Sequence, residues 1–318
     1  MNQPVFADPC RAAKPEAQTP GATSSTCGNV TNSSSGNMNG IILTDAGEQR
    51  TMNRLFGIPC LALAAFAADP RQALTFHAPF DGSTDATTGK GDRRLYTAAS
   101  YKVQRDAVPG LPPDVELAKG QGRKGDALLF KKKNTRALFF KAKDNLHFDP
   151  RNWTGSIVFW LSLDPETDLE PGFCDPIQVT DKAYNDSAIW VDFTKDDKPR
   201  HFRLGVFGSL KKWNPENLDA NKFPAFLNRL AVVKKYPFAK GKWTQVAITF
   251  SGLGSGKGEA KLYLNGKHQA DAGAITEPFE WDLTLGAIRL GVGYVGLFDD
   301  LAIYNRVLTP AEIEALAR

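Results

Sequence analysis

Short apolar runs recur along the chain from residue 73 to the C-terminus, and Gly, Pro, Asn and Asp separate them. Alternate residues within a run share one face, as Val246, Ile248 and Phe250 do in WTQVAITF. The runs predicted as strands are ALTFHAPF, GDALLF, RALFF, GSIVFWLSL, SAIWVDF, HFRLGVF, WTQVAITF, AKLYLNG, AIRLGVG and LFDDLAIYN. Many short strands with turn residues between them predict an all-β, antiparallel sandwich.

Two local signals define a turn and a helix near the end of the chain. Asn265 and Gly266 predict a two-residue hairpin, because both central positions of a type I′ turn need positive φ. Thr309, Pro310 and Glu312 match a capping box with proline at the first helical position. We therefore expect one short C-terminal helix that docks on the sandwich.

The chain before residue 69 has a different composition. Residues 1–51 contain one aromatic residue and the polar run ATSSTCGNVTNSSSGN, which buries too little apolar surface to offset its ordering entropy. We interpret them as a disordered upstream extension. One cation and a short apolar run follow Met52, so residues 52–68 are a predicted signal peptide, with a buried helix as the alternative. Translation is then expected to start at Met52, which leaves residues 69–318 as one domain.

The overall composition fits an exported globular domain. The chain is 42% hydrophobic, with six Trp and twenty Phe, which is enough for a substantial core. Of its four cysteines only Cys174 follows residue 68, so the domain is expected to fold without an internal disulfide. We predict a periplasmic, cell-surface or extracellular protein without a transmembrane segment, since no later apolar run reaches ~20 residues. The net charge of +4 comes with no motif for nucleic acid.

The last third of the chain contains an ordered set of motifs. GKWTQVAITFSG precedes KLYLNGKHQA, and IRLGVGYVGLFDDLAIYNRVLTPAEIEAL follows. In this order they resemble the laminin-G-like members of the concanavalin A-like lectin/glucanase superfamily, and FHAPFDGSTDATTGKGD and WTGSIVFWLSLDP resemble earlier strands of that family. The resemblance covers about residues 73–318. It implies a jelly-roll β-sandwich but leaves function open, because the family includes sugar-binding modules, protein-binding modules, spacers and glucanases.

One acidic run suggests an enzymatic alternative. Glu166, Asp168 and Glu170 resemble the E-x-D-x-E motif of β-glucanases on this fold, in which alternation along a strand aims three carboxylates into one cleft. Pro165 and Pro171 bracket the run, which is typical of a solvated loop instead. We therefore expect these acids to lie in a loop and the protein to be non-enzymatic.

A second acidic group suggests a structural calcium ion. Calcium binds ~6–8 oxygen ligands, including backbone carbonyls, so two or three nearby carboxylates suffice. The resemblance implies that the first and last strands are neighbours, which would bring Asp81 and Asp85 close to Asp299 or Asp300. The alternative is that these acids only accept hydrogen bonds within the protein.

Aromatic residues beside polar loops are the candidates for ligand binding. Sugar rings stack on such side chains, and the candidates are Trp190, Tyr184, Trp213 and Trp281. We expect Trp213, in LKKWNPEN, to be the most exposed of them. The predicted partner is a polysaccharide or glycan, or an extracellular protein, and a purely structural module is the remaining possibility. The tryptophans assigned to the core are Trp153, Trp160 and Trp243.

Other motifs are assigned no chemistry. The run from Gly291 to Gly296 matches G-x-G-x-x-G, but a strand-like segment follows it where a dinucleotide site needs a helix. No histidine is adjacent to Cys174, so an inert thiol is expected. The four histidines lack the paired spacing of a zinc site, and they are His77, His147, His201 and His268.

Overall fold

The computed structural model describes residues 69–318, which form two antiparallel sheets of nine and eight strands. The predicted upstream extension, residues 1–51, and the predicted signal peptide, residues 52–68, lie outside the described residues. The described chain confirms an all-β jelly-roll sandwich with a short C-terminal helix. No helix among residues 69–318 combines the length and apolar character needed to cross a membrane.

The strands of the first half are β1 (Leu74–Ala78), β2 (Thr88–Gly89), β3 (Leu95–Ala98), β4 (Val108–Pro109), β5 (Val115–Ala118), β6 (Ala127–Phe130), β7 (Ala137–Lys141) and β8 (Trp153–Ser162). Those of the second half are β9 (Cys174–Thr180), β10 (Ala188–Phe193), β11 (Phe202–Phe207), β12 (Ala231–Val233), β13 (Thr244–Leu253), β14 (Glu259–Leu264), β15 (Lys267–Asp271), β16 (Ala287–Val292) and β17 (Gly296–Tyr304). The helices are α1 (Leu210–Trp213), α2 (Pro224–Leu227) and α3 (Pro310–Leu316), with 3₁₀ turns at Pro70–Ala73, Tyr101–Asp106 and Ala220–Lys222.

The strand order places distant parts of the chain side by side. The nine-stranded sheet runs β15-β14-β13-β8-β17-β1-β2, with β6 against β17 and β5 beyond it. The eight-stranded sheet runs β12-β11-β10-β9-β16-β7-β3-β4. In the first sheet β1 pairs with β17, so the first and last strands are neighbours, as predicted.

One core lies between the sheets because each strand buries alternate residues. In the eight-stranded sheet Ile189, Val191 and Phe193 of β10 face the core, where they join residues such as Phe159 and Ile248 of the other sheet. Their neighbours Trp190 and Asp192 therefore point to the opposite face. Trp153 and Trp160 are buried as predicted, and Trp243 is half-buried.

The local signals near the C-terminus are confirmed. Asn265 and Gly266 have φ of 48° and 78° and join β14 to β15. At the start of α3, the Thr309 side chain accepts a hydrogen bond from the backbone N–H of Glu312, and the Glu312 carboxylate accepts one from the N–H of Thr309. The run from Gly291 to Gly296 connects β16 to β17, so it is a turn between strands.

The outer face of the eight-stranded sheet has a cover that the periodicity did not predict. Residues 209–230 contain α1 and α2 and cross this face after β11. Their apolar side chains form a second cluster with the outward residues of β10 and β11, and its members are Ala188, Trp190, Phe207, Trp213, Ala220, Phe226 and Leu230. The cover buries one part of the outer face, and a pocket lies next to it.

Candidate functional site

The pocket lies on the outer face of the eight-stranded sheet and has a volume of about 240 Å³. This is slightly below the ~300–1,000 Å³ of pockets for drug-sized ligands, so it suits a ligand of about one ring. Its lining combines aromatic walls with a few polar groups, and the residues are Phe173, Asp175, Gln178, Tyr184, Trp190, Asp192, Arg203, Phe226 and Val292.

A β-bulge brings two carboxylates together in this pocket. Val191 pairs with Ile177, and Phe193 pairs with Cys174, so two residues of β9 lie opposite the single residue Asp192 of β10. The extra residue turns the Asp175 side chain to the outer face, while its neighbour Cys174 faces the core. Bulges are common beside functional sites because they redirect a side chain in this way.

Asp192 forms an ion pair with Arg203 on the next strand. The Arg203 Nε donates to Asp192 Oδ1 at 2.8 Å, and its Nη2 donates to Oδ2. Both residues are buried, at 3% and 8% exposure. The guanidinium carbon lies 5.1 Å from the centre of the Phe173 ring and 5.7 Å from that of Trp190. The pair is therefore a satisfied, aromatic-flanked charge unit within the pocket wall.

Asp175 is the less compensated acid. Its Oδ2 accepts a hydrogen bond from the side-chain amide of Gln178, whereas Oδ1 has no hydrogen-bond partner among residues 69–318. Burial, followed by the nearby charge of Asp192, raises the pKa of Asp175 to about 8. Burial also raises the pKa of Asp192, and the two hydrogen bonds from Arg203, which favour the ionised form, offset only part of that effect.

Gly205 allows the Trp190 ring to lie across β11. The two residues are opposite each other in the sheet. A Cβ on Gly205 would lie 2.2 Å from Cζ2 of Trp190, well inside van der Waals contact. The absence of a side chain at this position therefore sets the orientation of the indole that forms the pocket wall.

The four aromatic candidates meet at the loop 184–187. The indole N–H groups of Trp190, Trp213 and Trp281 donate to backbone carbonyls of this loop at 2.6, 3.0 and 2.6 Å. These tryptophans therefore hold the loop in place, and Tyr184, 36% exposed, lies at the pocket rim. The expectation that Trp213 is exposed is wrong: it is 7% exposed, because it is the last residue of α1 and its ring packs in the cover against Phe207 and Phe226.

Trp281 lines a second, more open pocket of about 550 Å³. Its ring stacks on Phe148 with centres 4.6 Å apart, and it meets Trp153 edge-on. Lys182 and Lys211 line the same pocket. The structure thus separates Trp281 from the pocket that Trp190 and Tyr184 share.

The three acids of the glucanase-like run do not face one cleft. They lie in the loop between β8 and β9, as expected, and each contacts a different segment. Glu166 accepts from the backbone N–H of Arg200 at 2.7 Å, and Glu170 from that of Lys133 at 2.7 Å. Asp168 accepts from the N–H of Asp164 within the loop at 2.8 Å. The strand alternation that would aim all three at one substrate is missing from this loop.

Three of the four proposed calcium ligands lie in one region. Asp81, Asp299 and Asp300 line a shared pocket of about 490 Å³. Asp299 accepts from the Arg123 N–H at 2.7 Å through Oδ2, while its Oδ1 is buried without a partner among the described residues. Burial is the main cause that raises the pKa of Asp299 to about 7.

Asp85 has a different role. It accepts a hydrogen bond from the Leu95 N–H at 3.0 Å and is not part of the pocket that holds Asp299. Among residues 69–318, no group of three or more His, Cys, Asp or Glu side chains is positioned to hold a metal ion. Any ion beside Asp299 would therefore need backbone oxygens or water as further ligands.

Sequence reasoning named Trp190 and Tyr184 but missed the polar residues of the pocket. Asp192 and Arg203 sit at outward positions of runs already predicted as strands, so their alternation was the available signal. Asp175 and Gln178 belong to β9, which the pattern did not identify. Cys174, next to them, is buried, and burial raises the pKa of its thiol to about 11, as expected for an inert cysteine.

The topology of this sandwich and the ligand-sized pocket on one sheet place the protein in a broad class of β domains. Comparison with known families narrows that class. A laminin G family model, described as the concanavalin A-like lectin/glucanases superfamily, matches residues 177–314. This match confirms the resemblance over that part of the chain. No curated protein matches the chain.

Solved structures share the fold at low sequence identity. Domain 4 of AbnA, a GH43 extracellular arabinanase from Geobacillus stearothermophilus solved with arabinotriose, is 17% identical, with 77% of this chain and 98% of that one covered and a TM-score of 0.49. The binding domain of botulinum neurotoxin DC, solved with rat synaptotagmin II, is 12% identical, with 78% and 52% covered and a TM-score of 0.50. The chain thus spans about half of the neurotoxin domain, and the likeness concerns the fold alone.

Proposed function

We propose that this protein is an exported, non-enzymatic laminin-G-like module that binds carbohydrate in the pocket formed by Trp190, Tyr184, Asp175, Asp192 and Arg203. One observation supports this most: aromatic walls and buried hydrogen-bonding groups converge on a single pocket of one-ring size. Aromatic faces suit the C–H surfaces of a sugar ring, and carboxylates and a guanidinium suit its hydroxyl groups. Export rests on the sequence of residues 52–68.

A glycan array probed with the full chain tests the proposal. Tyr184→Ala removes the ring at the rim, which is 36% exposed, and should lower the affinity for any bound glycan about fivefold, since a stacked ring contributes ~1 kcal/mol. Val108→Ala, at a residue 59% exposed and outside the pocket lining, is the control and should bind like the wild type. No bound glycan, or an equal loss in both variants, would contradict carbohydrate binding in this pocket.

We also propose that one structural calcium ion binds beside Asp299 and Asp81. The buried, unpartnered Oδ1 of Asp299 supports this, because an ionised oxygen without a partner is costly unless a cation compensates it. Excess calcium should raise the melting temperature relative to excess chelator in the wild type and in Asp85→Asn, but not in Asp299→Asn. An unchanged wild-type melting temperature would rule the ion out.

A further inference from the structure

The two acids of the pocket are not equally compensated. Two acids and one base line the pocket. The two side-chain hydrogen bonds that Arg203 donates within residues 69–318 both go to Asp192. Asp175 receives one hydrogen bond, from the neutral amide of Gln178. A carboxylate at this position therefore feels the charge of Arg203 but receives no hydrogen bond from a cation among the described residues.

The surrounding rings are compatible with positive charge. Phe173, Tyr184, Trp190 and Phe226 line the same pocket as Asp175. Arg203 already lies over the faces of two of them. A cation that enters the pocket would meet ring faces and a carboxylate oxygen, and both stabilise it. An anionic ligand would gain no such contact with an ionised Asp175.

We propose that the pocket takes a ligand with a primary ammonium group, an amino sugar given the carbohydrate-binding function on which this inference rests, and that the ammonium binds Oδ1 of Asp175. The carboxyl group carries a proton before the ligand arrives, because burial raises the pKa of Asp175 to about 8. The ammonium stabilises the ionised form, so this proton passes to the buffer on binding. The titratable groups that interact electrostatically with Asp175 are Asp192, Arg203, Cys174, Tyr101 and Tyr184.

Calorimetric titration of the full chain with glucosamine and with glucose tests the proposal. At about pH 7.5, just below the ~8 of an ordinary α-amino group, most of the amine is charged, and release of the Asp175 proton costs only about fourfold in affinity. A hydrogen bond between two charged groups contributes about tenfold to a hundredfold, so we expect glucosamine to bind roughly threefold to twenty-five-fold more tightly than glucose. Titrations in buffers of different ionisation enthalpy should show a proton released with glucosamine but not with glucose.

Asp175→Asn keeps the shape of the side chain but cannot ionise. It should lower the affinity for glucosamine by roughly the same threefold to twenty-five-fold and that for glucose much less. It also removes a buried acid, so folding is not at risk. Asp196→Asn is the control, since Asp196 is an exposed acid paired with Lys195 at 3.4 Å outside the pocket lining. It should leave both affinities unchanged.

The outcomes separate the two proposals. If glucose binds as tightly as glucosamine, or if Asp175→Asn weakens both sugars equally, the ammonium assignment is wrong and carbohydrate binding stands. If neither sugar binds and the glycan array is also negative, both are wrong. Preferential binding of glucosamine, with loss in Asp175→Asn and proton release, supports both.

Discussion

Removal of Arg203 should destabilise the protein strongly, because it leaves the buried Asp192 carboxylate without its cation. Asp192 is 3% exposed and receives both described hydrogen bonds of the guanidinium. Removing one partner of a buried ion pair lowers the free energy of unfolding by about 3–5 kcal/mol, whereas replacing both partners with apolar residues is often neutral. For Arg203→Met we expect a loss of this size in the free energy of unfolding, which is a drop of roughly 6–20 °C in melting temperature for a domain of this length.

The loss should depend on pH. Without Arg203, burial alone acts on Asp192 and raises its folded pKa above the unfolded value of 3.8. Between those two pKa values the folded state binds more protons than the unfolded state, so stability falls as pH rises. The penalty of Arg203→Met should therefore be largest at neutral pH and shrink as the pH falls towards about 5.

Urea unfolding followed by tryptophan fluorescence measures these changes. The double variant Asp192→Asn/Arg203→Met removes both charges and should regain most of the stability lost in Arg203→Met. Arg94→Met is the matched control: Arg94 pairs with Asp92 at 2.8 Å, but its side chain is 56% exposed, so solvent screens the pair and the expected loss of stability is small. A loss in Arg203→Met as small as in this control, or no recovery in the double variant, would refute the reasoning.

Three further predictions concern packing, capping and thiol reactivity. Gly205→Ala should lower the free energy of unfolding by about 1–3 kcal/mol and change the tryptophan emission, because the new methyl group collides with Trp190. In the control, Gly286→Ala, the new methyl group meets no atom closer than 3.3 Å, so neither quantity should change. Equal effects of the two substitutions would disprove the steric account. Thr309→Ala should lower the free energy of unfolding, measured in urea, by ~1 kcal/mol, because α3 loses its N-cap. Thr309→Ser should keep the cap and the stability. Equal stabilities of the two variants would contradict a role for the cap. The buried Cys174 thiol should react with a thiol dye only as the protein unfolds in urea, with its labelling measured by peptide mass spectrometry apart from the other three cysteines. Labelling of the Cys174 peptide at the rate of an exposed thiol in the native state would show that this thiol is accessible.

The fold was largely predictable from local patterns. Strand alternation, the Asn265-Gly266 turn and the Thr309 cap act over a few residues, and each appears as expected. β9 was the informative failure: Pro176 and a preceding loop hide it, although it pairs with β10 and β16 in the middle of its sheet. Long-range pairing overrides a weak local preference there.

The pocket was less predictable, because its residues come from separate strands and a bulge. Trp190 and Tyr184 are candidates because they are aromatic residues beside polar loops. That property does not show that Trp190 supports a loop or that Trp213 is buried in the cover. The acids of the loop before β9 are close together in the sequence, but the two acids that share the pocket are Asp175 and Asp192.

The amino-acid sequence by itself determined the all-β class, the strand faces, the C-terminal helix and the superfamily, because periodicity, turns and caps are local and the motif order is linear. Only the tertiary structure decided which polar groups share a pocket. The register between β9, β10 and β11, the bulge at Asp175 and the gap left by Gly205 place Asp175, Asp192 and Arg203 together. Their charges and pKa values follow from that burial and proximity, which no single stretch of sequence contains.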